Sequence, residues 1–148
     1  FIAAPIERVF DLSRSISLHK ISSAHTNKEA ISGITSGLIN KNETVTWRAK
    51  HLFKIRYFTT LISEMQSPNF FIDEMQKGDF KSLKHEHHFK KIDNGTIMID
   101  ILNFESPYGI IGKWFNKIYL KNLLDLNKLE KILYLQELCI IKMNILNN

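Results

Sequence analysis

The chain has a single cysteine, Cys139. One thiol excludes an internal disulfide and fits a reducing compartment, so Cys139 reads as a small buried hydrophobe. Three prolines and six glycines among 148 residues leave no Pro/Gly/Ser-rich linker, and no internal repeat divides the chain. One domain over 1–148 is therefore expected, large enough to hold a core without a metal or disulfide. No uninterrupted apolar run approaches the roughly 20 residues that a spanning helix requires, so integral membrane association is not expected. No nucleophile elbow, phosphate loop or zinc-protease spacing is present either.

What is present is a globular balance: 44% hydrophobic, 24% charged and 11% aromatic residues. The net charge of +5 permits anionic partners, but the basic residues are spread along the chain. No recognition helix, zinc finger or aromatic RNA-binding signature accompanies the charge, so nucleic acid is not an expected partner. The sequence starts at Phe1 and not at Met, and a cytoplasmic location is the default expectation.

The opening residues predict an extended stub, then a short helix from Pro5 with Ile6, Val9 and Phe10 at helical spacing. A second short helix is predicted over 13–19, and a short strand about Ala30. From Glu43 the period becomes two, with Val45, Trp47, Ala49 and His51 on one face. Arg48, Lys50 and Arg56 read as a solvated outer face. Similar runs at 55–65, 70–76, 83–92 and 96–105 are separated by short turn signals, the clearest at Asp93, Asn94 and Gly95. Strands joined by short reversals make an antiparallel meander. After Gly109 the apolar residues Ile111, Phe115, Tyr119, Leu123, Leu126, Leu129 and Leu133 return to helical spacing. They predict a long amphipathic helix, reaching about 38 Å over 25 residues, laid across the sheet. The stretch over 135–148 is expected to be an irregular tail.

Several segments carry a family resemblance: IAAPIERVFDLSRSISLH, ISGITSGLI, VTWRAKH, FFIDEMQKGDFKSLKHEHHF and GTIMIDILNFESPYGIIG. With the order of elements, they resemble the helix-grip fold of the SRPBCC superfamily, which includes the birch-pollen allergen, START domains, and polyketide cyclases and aromatases. Within it they look like the bacterial branch labelled polyketide cyclase/dehydrase-like or cell-division-inhibitor-like. The likeness runs from Phe1 to about Leu129 and departs from the family pattern in a first strand cut to about three residues. It implies an α+β fold: a curved antiparallel sheet of about six or seven strands wrapped on a long C-terminal helix, with two short helices after the first strand. It also implies a deep pocket between sheet and helix, used across the superfamily by carriers, receptors and enzymes.

Alternation places Leu83, His85, His87 and Phe89 on one face of their strand, and Lys84, Glu86, His88 and Lys90 on the other, facing water. Phe71, Asp73 and Met75 share a face of theirs. In the 96–105 run both faces are apolar, and the family pattern turns Thr96, Met98, Asp100, Leu102 and Phe104 inward. His51, Asp73, His85, His87 and Asp100 are thus candidates to line one concave surface, where burial requires them to pair. Three uses compete: a hydrogen-bond network that stiffens the sheet, an anchor for a ligand's polar head, and acid–base catalysis.

The leading expectation is a protein that binds a small apolar or amphipathic molecule such as a lipid, isoprenoid or polyketide. Its ligand residues would be Trp47, His51, Phe71, Asp73, Met75, His85, His87, Phe89, Met98, Asp100, Trp114 and Phe115. The alternatives are a cyclase/dehydratase or aromatase, a lyase or isomerase with His85, His87 and Asp100 as catalytic candidates, and a regulatory, cell-division-related interaction protein; under any of these the chain is expected to be a monomer or a weak homodimer. No cofactor is expected. A facial metal site on His85, His87 and a carboxylate is outweighed, because no cysteine or further close-set ligand supports it in the sequence.

Overall fold

In the computed structural model, residues 1–23, 28–51 and 54–105 are described, with side chains except at positions 50 and 51. The long helix expected over 111–133, the tail after it, Trp114, Phe115, Cys139 and the side chain of His51 lie outside the described residues. No helix among the described residues is long and apolar enough to cross a membrane.

Helix α1 (Ile6–Ser13) starts after Pro5, whose φ of −58° suits a helix entrance, and Glu7 in its first turn complements the helix dipole. Its buried residues, Ile6, Val9, Phe10 and Ser13, fall on one stripe. Helix α2 (Ile16–Ser22) begins three residues later than the sequence reading places it. The reason is local: the Ser15 hydroxyl accepts from Leu18 N at 3.2 Å, and this cap fixes the start of the helix.

Six strands follow: β1 (Glu29–Gly33), β2 (Thr44–His51), β3 (Lys54–Gln66), β4 (Phe70–Lys77), β5 (Ser82–Ile92) and β6 (Gly95–Glu105). They form one sheet in chain order, antiparallel at each step. Irregular register between Thr59 and Thr60, and again between Ile62 and Glu64, bends the long β3. The N-terminal stub closes the far edge. Ile2 N donates to Thr96 O at 2.9 Å, and Thr96 N donates to Ile2 O at 2.8 Å. The fully buried Thr96 hydroxyl adds a bond to Ala4 O at 2.8 Å. This pairing is an isolated bridge outside the six named strands, and the antiparallel sheet fits a helix-grip-like arrangement.

Helix α1 packs over the β5 and β6 end of the sheet. The Phe10 ring meets Phe71 edge-on at 5.7 Å and Phe89 at 5.4 Å between centroids, a geometry favoured by the ring quadrupoles. Around them Ile2, Val9, Ile16 and Ile62 complete a dry core.

At the β5–β6 hairpin Gly95 has φ +154°, and a Cβ there would run into the Ile2 carbonyl oxygen. Gly95→Ala is expected to destabilise the fold by about 1–3 kcal/mol by pushing the N-terminal stub off β6. Urea unfolding measures this, and an unchanged midpoint would refute the close approach.

Candidate functional site

Register builds the site. Asp73 on β4 lies opposite His85 on β5, and His87 on β5 lies opposite Asp100 on β6. Directly opposed residues share a face, so three neighbouring strands deliver two imidazoles and two carboxylates to one spot. His87 is the centre. Its Nδ1 lies 2.6 Å from Asp100 Oδ1 and its Nε2 2.9 Å from Asp73 Oδ2. His85 flanks it, with Nδ1 at 3.7 Å from Asp73 Oδ2 and Nε2 at 3.5 Å from Asp100 Oδ1. The two imidazole centroids are 3.9 Å apart, and Phe71 stacks on His87 at 4.2 Å. Side-chain exposure is 2% for His87 and 8% for Asp100, against 19% for His85 and 20% for Asp73. Hydrogen bonds in so dry a setting are stronger than in water, and breaking one costs more.

The cluster borders a hollow of about 400 Å³ on the inner face of the sheet. Its walls include Trp47, Phe58, Ile62, Phe71, Met75 and Leu83, with Ile16 and His19 of α2 on one side. A second polar feature belongs to the same lining. Lys28 Nζ lies 2.9 Å from His19 Nε2 and sits over the rings of Trp47 and Phe58, at 4.4 and 4.6 Å from their centroids. An ammonium against two aromatic faces is a cation–π arrangement.

Of the residues singled out in the sequence, Trp47, Phe71, Asp73, Met75, His85 and His87 line the hollow, and Asp100 stands behind the imidazoles. Two do not belong there. Phe89 is part of the core and Met98 packs against it, because α1 covers that end of the inner face. Arg56 is a further correction. It pairs with Ala49, two positions from the Trp47–Phe58 pair, which puts it on the inner face at the rim of the hollow, bound to Asp79 Oδ1 at 3.1 Å. Only the β2–β3 register reveals which face it takes.

Lys84, Glu86 and His88 do occupy the other face. Glu86 accepts from His88 at 3.1 Å and pairs with Lys84 at 3.2 Å, and these contacts hold its carboxyl below the ordinary carboxylate range. Sequence reasoning missed Lys28 and His19. His19 stands three residues after Ile16, a helical spacing that carries the signal, whereas nothing local marks Lys28.

No family model and no curated protein matches the chain. Solved structures do. TTHA0849 from Thermus thermophilus superposes with a TM-score of 0.73 at 20% identity, covering 95% of this chain and 93% of that one. Ms6760 from Mycobacterium smegmatis gives a TM-score of 0.67 at 14% identity over 95% and 87% of the two chains. The KanY protein gives 0.64 at 14% identity over 92% and 90%. The chain shares its fold with these proteins.

The exposure difference orders the energetics of the cluster. Asp100→Asn is expected to cost about 1.5–3 kcal/mol, the range for a hydrogen bond to a charged group, and Asp73→Asn less. Urea unfolding of both variants checks this, and the reverse order would contradict the geometry.

Proposed function

We propose that the chain is a helix-grip protein of SRPBCC type that encloses a small hydrophobic or amphipathic molecule. The guest lies between the inner face of the sheet and the helix that the sequence predicts over 111–133. The observation that carries this reading is the hollow of about 400 Å³, apolar for most of its wall and polar where Asp73, His85 and His87 meet. Small-molecule sites have this character: concave, within about 300–1,000 Å³, mostly apolar, with a few converging polar groups that fix orientation. Burial of an isoprenoid or acyl chain against Trp47, Phe58 and Met75 supplies affinity. The imidazoles bind a hydroxyl or carboxylate head, and Lys28 offers a cation to an acidic end.

A second reading is favoured by the His87 contacts. An imidazole held between two carboxylates beside a hydrophobic hollow has the makings of an acid–base pair, which suits a cyclase or dehydratase acting on a polyketide-like substrate.

Titration with fatty acids, isoprenoids and polyketide mimics is expected to give a saturable change in Trp fluorescence, much reduced in Trp47→Phe, with a matching mass increase in native mass spectrometry. A flat titration and an unliganded mass with every compound would overturn the proposal. His85→Ala separates the two readings. A binding protein loses affinity by about 10- to 100-fold, the equivalent of one charge-assisted hydrogen bond. An enzyme loses turnover by about 100- to 10,000-fold.

A further inference from the structure

We propose that Asp73, His85 and His87 form a three-ligand site for a divalent first-row transition ion, with Asp100 as the outer carboxylate that orients the His87 imidazole. Each of the three residues brings a ligand atom within 4.8 Å of the other two. Asp73 Oδ2 is the shared corner, 2.9 Å from His87 Nε2 and 3.7 Å from His85 Nδ1. Metal–nitrogen and metal–oxygen bonds of about 2.0–2.2 Å set ligand atoms about 3–3.5 Å apart in a tetrahedral shell, and the two edges that meet at Asp73 Oδ2 lie close to that span.

The position of Asp100 is the second, independent observation. Both rings turn one nitrogen toward Asp73 and the other toward Asp100, whose Oδ1 is 2.6 Å from His87 Nδ1 and 3.5 Å from His85 Nε2. A carboxylate behind a metal-bound imidazole fixes its tautomer and raises its basicity. One carboxylate bonded to His87 from behind and close to His85, while another stands with the two imidazoles in front, is a layered arrangement that a stiffening network does not require.

Two nitrogens and one oxygen suit Zn²⁺, Fe²⁺ or Co²⁺ and leave at least one coordination position open. All three ligands line the hollow, so the open position faces the space where a small molecule would lie. The site stands apart from the ligand reading, since an ion can bind whether or not an organic guest does.

The test uses the full chain, stripped with a chelator, dialysed and titrated with Co²⁺ in the absence of any organic ligand. One equivalent of Co²⁺ is expected to produce saturable visible d–d absorption that one equivalent of Zn²⁺ abolishes. Asp73→Asn and His85→Gln should each remove it, and Asp100→Asn should weaken binding about 10- to 100-fold. His88→Gln, on the opposite face, should leave it unchanged. Circular dichroism identifies folded variants. Absence of saturable absorption in the wild-type protein overturns the proposal whatever the variants do. So does equal uptake by folded Asp73→Asn or His85→Gln, which would put the ion elsewhere.

Discussion

A buried imidazole has two nitrogens to satisfy, and here both find carboxylates because three antiparallel strands are held in one register. Asp73 faces His85 across β4 and β5, and His87 faces Asp100 across β5 and β6. A slip of one residue at either pairing would turn a whole strand over and send its polar groups into water or into the core. Register is pinned from both sides. The outer face carries charge, with Lys84, Glu86 and His88 linked to one another. The inner face carries Phe71 and Phe89 against Phe10. The polar cluster thus depends on the apolar packing that aligns its strands.

Helix α1 divides the inner face into two zones. Over β5 and β6 it fills the sheet with Phe10, Val9 and Ile6, and there Phe89 and Met98 are ordinary core residues. Beyond the helix the same face continues into the hollow, bordered by Trp47, Met75 and Leu83. His87 stands at the boundary, stacked on Phe71 and reaching the hollow. The ring is therefore positioned by solid packing on one side and meets open space on the other, the combination that a preorganised site needs.

The parity of each strand is legible in the sequence because a period of two is a local property. Leu83, His85 and His87 need only their own strand to be assigned together, and the same holds for Phe71, Asp73 and Met75. The meander and its hairpins are legible too, since Asp93–Asn94 and similar turns punctuate the runs. What is not legible depends on pairing between segments. Arg56 reads as an outer-face residue until its register with Ala49 shows which way it turns. Phe89 shares the alternation of His87, and only the packing of α1 separates the core position from the ligand-facing one. Lys28 escapes notice because its partners, His19, Trp47 and Phe58, come from α2, β2 and β3.

Whether such a cluster exists for stability is a question of magnitudes. Moving charged groups out of water costs several kcal/mol each, and their mutual attraction offsets that cost only with good geometry. Replacing a buried ionic group by hydrophobic residues of similar volume is often neutral or stabilising. A sheet that already buries Phe10, Phe71 and Phe89 has apolar alternatives within reach at the positions of His87 and Asp100. Two carboxylates and two imidazoles at the edge of a hollow are thus a poor way to stiffen a strand. They are a good way to hold a proton, a polar head group or a cation at a fixed point. Desolvation costs at this spot thus weigh against a purely scaffolding role, and the neighbouring hollow leaves the exposed edge of the cluster open to a small partner.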